Sequence, residues 1–109
     1  MEGSTEVTND KINAAIAEAC GWRDLGMHPM FGLMGVNPNA DGIRTAVEWY
    51  TDDLNAMHQV EKTLTIPEWY DYATYLNPMW TKEKLIHATA FQRAEAYLKT
   101  IGKWEGVLA

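Results

Sequence analysis

The chain has 109 residues, the length of one domain, and its hydrophobic (47%) and charged (22%) fractions are those of an ordinary soluble globular protein rather than a disordered or fibrous one. Its formal net charge of −6 disfavours broad binding to DNA or RNA, because domains that bind duplexes normally carry a basic excess. With one cysteine, a polar and acidic start and no apolar run of membrane-spanning length, we expect a cytoplasmic protein without a secretory signal.

The first predicted element is a helix that follows a short tail. Residues 1–8 are predicted to be a mobile tail, and residues 9–109 a single domain. The helix begins near Asn9 or Asp10, either of which can cap it, and its apolar positions recur at spacings of three and four as far as Cys20. Because Cys20 lies on that apolar stripe, we interpret it as a small core residue rather than a nucleophile.

A hairpin is predicted in the middle of the chain. Residues 30–36 favour a short strand, and residues 37–42 have the composition of a turn. Residues 43–50 alternate between the two faces of a strand. A hairpin from about residue 30 to residue 50 accounts for both segments.

Two further helices are predicted next. The second helix, over residues 52–64, is capped by Thr51 or Asp52 and carries acids in its first turn, where the helix dipole favours them. The third, over residues 65–76, opens with a Thr followed three residues later by a Glu, which is the spacing of a capping box. The inward edge of the second helix is predicted to consist of Leu54, Met57, Val60, Glu61 and Leu64.

The last part of the chain predicts one strand and one helix. Residues 83–88 have the composition of a short strand, and the final helix starts at Thr89 with a second capping box and stops at Gly102. Trp104 is expected to fold back as an anchor. This order of elements predicts an α+β fold, in which a small antiparallel sheet of about three strands is sandwiched between α-helices.

The motifs of common catalytic and cofactor sites are missing from the sequence. The three histidines are far apart and there is no cysteine pair, so zinc is not expected. No nucleophile elbow, phosphate-binding loop or dinucleotide-binding glycine motif occurs. Asp52 and Asp53 would point about 100 degrees apart on a helix, so we interpret them as cap acids. We predict no catalytic residue, no metal and no cofactor, and favour a binding or structural role over an enzyme.

Polar side chains on the second predicted helix form one candidate ligand site. Asn55, His58 and Gln59 share a polar face of that helix. The alternative interpretation is that this face is only solvated, as most polar helix faces are.

A second candidate site lies at the start of the last predicted helix. Thr89, Gln92 and Arg93 combine backbone N–H groups, the positive end of the helix dipole and a guanidinium, which together favour an anion. Residues 81–109 also carry a basic excess inside an acidic chain. The alternative is that Thr89 and Gln92 only cap the helix, while Arg93 pairs with Glu95 or another neighbour.

The aromatic and methionine content predicts self-association. The chain has five Trp, five Tyr and six Met, more than a core of this size readily buries. These residue types are enriched at the centres of protein interfaces. We therefore expect a homo-oligomer.

Three segments carry a resemblance to a known family. They are IAEACGW at residues 16–22, TDDLNAMHQVEKTL at residues 51–64 and ATAFQRAEAYLKTIGKW at residues 88–104. In this order and spacing they resemble the phage ABA-sandwich domain, a small domain encoded in phages and prophages. The resemblance implies a sheet between helical layers. Residues 65–87 depart from the family pattern.

The resemblance also implies a function. Proteins similar to this family include the Thoeris anti-defence sponges, which bind a cyclic ADP-ribose signal without degrading it, and some similar proteins hold cyclic oligonucleotides and form homo-oligomers. Carried over by position, Arg93, Gln92 and Asn55 are the expected phosphate, base or ribose contacts. We therefore expect a non-enzymatic phage protein that sequesters a cyclic nucleotide-type messenger in the host bacterial cytoplasm. The alternative is a phage structural or interaction domain that assembles with a phage or host protein and binds no small ligand.

Overall fold

The structure is a computed structural model that describes residues 8–38, 40–76 and 88–108. In chain order, its elements are helix α1 (Asn9–Ala19), strands β1 (Arg23–His28), β2 (Gly32–Val36) and β3 (Arg44–Ala46), and helices α2 (Leu54–Glu61), α3 (Ile66–Leu76), α4 (Ala90–Thr100) and α5 (Trp104–Leu108). The three strands form one antiparallel sheet in the order β1-β2-β3. The predicted α+β class and the three-stranded antiparallel sheet are confirmed.

One strand of this sheet was not predicted. The predicted pairing of residues 30–36 with residues 43–50 is present as β2 and β3, although β3 is only three residues long. The third strand is β1, which forms a tight hairpin with β2 and contains an irregularity between Arg23 and Gly26. All residues of β1 are exposed except Leu25, which is half-buried, so the strand has no buried apolar face like the one that marks most strands in a sequence. The strand predicted at residues 83–88 lies outside the described residues except for Ala88, which is not in a strand.

The caps of the first two helices differ from the predicted ones. The Thr8 hydroxyl accepts from the Lys11 amide at 3.2 Å, so Thr8, rather than Asn9 or Asp10, caps α1. The other residues of the predicted tail lie outside the described ranges. Asp53 caps α2, with its carboxylate 2.9 Å from the Asn55 amide.

Thr51 and Asp52 are excluded as caps of α2 by the turn that precedes the helix. The amides of Asp52 and Asp53 both donate to the carbonyl of Trp49 at 2.9 Å, so the chain is still turning at these positions. Thr51 is buried, and its amide donates to the side chain of Asn13 on α1 at 3.1 Å. The helix therefore starts after Asp53.

The predicted boundaries of the later helices are close to those observed. Both capping boxes are present, the first between Thr65 and Glu68 and the second between Thr89 and Gln92. Gly102 ends α4 in the left-handed conformation, with a φ of 75°, and this favours glycine. Trp104 starts α5, a short helix that was not predicted, and packs against the core as expected.

The core lies among helices α1 to α4. Its largest fully buried side chains are Ile12, Ile16, Met57, Val60, Tyr72 and Leu98. Helix α3 packs closely on α4, α1 and α2 also contact α4, and the sheet contacts α1 through β1. Within the described ranges, no helix is long and apolar enough to cross a membrane.

Candidate functional site

A buried carboxylate, Glu61, is the centre of a polar cluster that joins three helices. Its side chain is only 7% exposed. One carboxylate oxygen accepts from Arg93 Nη1 of α4 at 2.8 Å and from the hydroxyl of Tyr72 of α3. The other oxygen lies 2.9 Å from Nδ1 of His58, one turn earlier on α2. A carboxylate with this many donors is a strong structural link.

The contacts within the cluster shift the pKa values of Glu61, Tyr72 and Arg93. Burial raises the pKa of the Glu61 carboxyl, but hydrogen bonds from Tyr72, His58 and Arg93 outweigh it, so the pKa of Glu61 is lowered. Burial and the adjacent Glu61 raise the pKa of Tyr72. Burial lowers the pKa of Arg93, but the contact with Glu61 raises it further than burial lowers it. Glu61 and Arg93 are thus held as an ion pair, with Tyr72 neutral.

The lowered pKa of Glu61 makes the stability of the fold depend on pH. Below the ordinary Glu pKa of 4.5, the unfolded chain takes up a proton that the folded chain resists. The contribution of Glu61 is therefore fully present above that pH and is lost as the pH falls through the folded pKa. We expect the free energy of unfolding, measured in urea between pH 3 and 7, to fall at acid pH by more in the wild type than in Glu61→Gln. Parallel curves for the two proteins would contradict this assignment.

The predicted site residues fall into two groups in the structure. His58 and Arg93 are brought together through Glu61, while Asn55 is exposed one turn before His58 on α2. Thr89 and Gln92 are exposed and bond to one another's backbone amides as a capping box. Ligand contacts by these five residues remain a prediction.

The carboxylate that pairs with Arg93 is Glu61, not Glu95. Arg93 pairs with Glu61 and also donates from Nε to the carbonyl of Ala88 at 3.1 Å. Glu95, the partner considered from the sequence, instead pairs with Lys99 at 2.7 Å. Arg93 therefore has a structural role, whatever else it contacts.

A cavity of about 350 Å³ beside α2 was missed by the sequence analysis. Gln59 is the one member of the predicted clusters that lines it. Its lining combines two aromatic side chains, two amides, a carboxylate and a hydroxyl: Trp22, Tyr50, Asn37, Gln59, Glu48 and Thr63, with Cys20, Pro38, Ala56 and Val60. This volume and this mixture are typical of small-molecule sites. The two buried aromatic residues gave the only sequence signal for it, and in the sequence they are indistinguishable from core residues.

The hydroxyl and thiol groups around this cavity are held in their neutral forms. Burial raises the pKa of Tyr50, whose side chain is hydrogen-bonded to that of Trp22. Burial likewise raises the pKa of the half-buried Cys20 thiol. Burial, together with Cys20, raises the pKa of Tyr97 to about 12. A protonated thiol is a poor nucleophile, which agrees with the interpretation of Cys20 as a core residue.

A larger groove of about 580 Å³ runs between α1 and α5, but its lining is less suited to recognition. Three alanines, Gly106 and Val107 are five of its eight described lining residues, and Lys11, Glu18 and Lys103 are its charged groups. It has neither an aromatic side chain nor an amide side chain in its described lining, so it offers neither a stacking surface nor directional polar contacts. The smaller cavity is therefore the better candidate site.

Among the residues that the structure describes, no group of three or more His, Cys, Asp or Glu side chains is placed to hold a metal ion. Comparison with known proteins found no matching protein-family model, no similar curated protein and no similar solved structure.

Proposed function

We propose that this protein is a phage anti-defence protein that binds and sequesters a cyclic nucleotide-type immune messenger, without degrading it, in the host bacterial cytoplasm. The messenger is a cyclic ADP-ribose isomer or a cyclic oligonucleotide. The three sequence segments that resemble the phage ABA-sandwich domain suggest this role, and the observation that carries it is the cavity beside α2.

The cavity has groups that can contact the base of a nucleotide. Trp22 and Tyr50 are largely buried, at 6% and 5% exposed, and the parts of them that line the cavity are the aromatic surface against which a base can pack. Asn37 and Gln59 provide amides that can donate to or accept from its edge. Asn55 lies one turn before Gln59 on the exposed side of α2, so a ligand that extends out of the cavity along the helix would reach this predicted contact.

Calorimetry against cyclic ADP-ribose isomers and cyclic di- and trinucleotides tests the proposal. A ligand that binds is then recovered from heat-denatured complex and analysed by mass spectrometry. Recovery of intact ligand supports sequestration, whereas altered ligand means that the protein is an enzyme. If none of these compounds binds, the proposal is wrong.

We expect Gln59→Ala to weaken binding of the messenger by at least fivefold, because it removes a directional amide from the cavity wall. Gln59 is exposed, so the melting temperature should change little. Lys103→Ala, in the larger groove, is the matched control and should leave the affinity unchanged. Loss of binding in Lys103→Ala with no effect in Gln59→Ala would move the site to that groove.

A second candidate function is favoured by a different observation. Met27, Phe31 and Trp49 are 62%, 64% and 68% exposed, and they line the same depression beside the sheet. Exposed apolar residues grouped in this way are typical of protein–protein interaction surfaces. Such a surface fits a structural or interaction domain that binds no small ligand, and it also fits the homo-oligomer expected from the composition.

We expect light scattering at micromolar concentration to give a mass that is a multiple of the 12.3 kDa chain. Trp49→Ser should shift the protein toward the monomer, because it removes the largest exposed aromatic side chain of this surface. Leu54→Ser is the control, since Leu54 is 44% exposed on α2 and is not among the described residues that line this depression. A monomeric wild type would contradict this prediction.

A further inference from the structure

The cavity beside α2 is rich in hydrogen-bond acceptors and poor in positive charge. Glu48 contributes a carboxylate close enough to Tyr50 to influence its pKa electrostatically. Asn37, Gln59 and Thr63 contribute amide and hydroxyl oxygens. No Lys, Arg or His is among the described lining residues. A phosphate group inside this cavity would face a carboxylate without a compensating cation.

A positive charge lies just outside the lining. The amine of Lys62, an exposed residue at the end of α2, is 3.5 Å from the side-chain oxygen of Gln59. Gln59 lines the cavity, so the ammonium group of Lys62 lies next to a residue of the cavity wall. The two ends of a bound nucleotide would therefore meet opposite charges.

We propose that the cavity accepts a heteroaromatic base with an exocyclic amino group, and that the phosphate of the ligand remains outside, beside Lys62. The base packs against Trp22 and Tyr50, and its amino group donates to the carboxylate of Glu48. This proposal rests on the proposed function, because it assigns the orientation of the ligand in the same site. It names a selectivity determinant, Glu48, that neither the sequence motifs nor the resemblance indicated.

Binding of small fragments separates the base from the phosphate. The probes are adenosine, which has the amino group but no phosphate, and ribose 5-phosphate, which has the phosphate but no base. Each is titrated at millimolar concentration into the ¹⁵N-labelled protein, and the indole N–H signal of Trp22 is followed by NMR. We expect adenosine to shift this signal in a saturable manner and ribose 5-phosphate to leave it in place. No response to adenosine, or an equal response to ribose 5-phosphate, would overturn the proposal.

Two substitutions test the orientation of the ligand. Glu48→Ala should weaken adenosine binding at least threefold, because a charge-assisted hydrogen bond to an exposed carboxylate is lost. Asp71→Ala, an exposed acid on α3, is the matched control and should have no effect. Lys62→Gln should weaken 5′-AMP binding about threefold more than it weakens adenosine binding, as expected for the loss of an exposed charge pair with the phosphate. Unchanged adenosine affinity in Glu48→Ala, or an equal effect of Lys62→Gln on both probes, would contradict the orientation.

The two proposals fail in different ways. If adenosine binds with the expected dependence on Glu48 while every cyclic nucleotide fails to bind, the proposed function is wrong and the base site stands. If a cyclic nucleotide binds as well to Glu48→Ala as to the wild type, the proposed function stands and the orientation is wrong.

Discussion

Glu61→Gln should lower the free energy of unfolding by about 3 kcal/mol, because it leaves the guanidinium of Arg93 in a largely buried position without its counter-ion. The Arg93 side chain is only 12% exposed, so water cannot readily replace the lost carboxylate. Glutamine has nearly the same size as glutamate and is equally compatible with helix α2, so the substitution changes only charge and hydrogen bonding. Urea denaturation at pH 7 measures the difference.

The matched control for this prediction is Glu95→Gln on α4. Glu95 pairs with Lys99 at 2.7 Å, but both side chains are 35% exposed, so the loss should be below about 1 kcal/mol. If the two substitutions cost the same, the cluster around Glu61 is not the structural link that its geometry indicates. Arg93→Ala should destabilise the fold in the same manner as Glu61→Gln, since it breaks the same pair.

The positions of Glu61 and Arg93 could be predicted from the sequence, but their pairing could not. The spacing of apolar residues correctly placed Glu61 on the inward edge of α2, although Leu54, predicted on the same edge, is 44% exposed. The second capping box correctly placed Arg93 near the start of a helix. Glu61 and Arg93 are 32 residues apart, and their pairing depends on how α2 packs against α4. A local sequence pattern cannot predict this packing. The sequence therefore predicts Arg93 either as a ligand contact or as the partner of Glu95 or another neighbour. The structure gives it Glu61 as a partner, and a ligand contact stays a prediction.

The same limit explains the missed strand and the missed cavity. Helices were predicted well because their apolar periodicity and capping boxes are local signals. β1 is a solvent-exposed strand held by its pairing with β2, so it needs no apolar alternation. The cavity beside α2 is lined by residues of α2 and of the α1–β1, β2–β3 and β3–α2 connections. These segments are far apart in the sequence, and only the tertiary fold brings them together.

Gly35 in β2 allows this strand to lie close to β1 and to Trp22, which lines the cavity. A Cβ atom on Gly35 would lie 2.6 Å from a methyl carbon of Leu25, 3.1 Å from the carbonyl oxygen of Arg23 and 3.4 Å from the indole of Trp22. The leucine methyl can rotate away, but the carbonyl belongs to the backbone of the neighbouring strand. Relief of the contact therefore requires β1 and β2 to separate.

We accordingly expect Gly35→Ala to lower the free energy of unfolding by about 1–3 kcal/mol, the usual range for overpacking. Gly26→Ala is the matched control, because Gly26 lies on the adjacent strand with nothing within 4 Å of an added Cβ, and alanine suits a strand better than glycine does. Equal stabilities of the two variants would contradict the steric argument. Since the added methyl group would also lie against the indole of Trp22, at 3.4 Å, Gly35→Ala should shift the Trp22 indole N–H signal and weaken binding in the cavity, whereas Gly26→Ala should do neither. The glycine thus links the packing of the sheet to the shape of the candidate site.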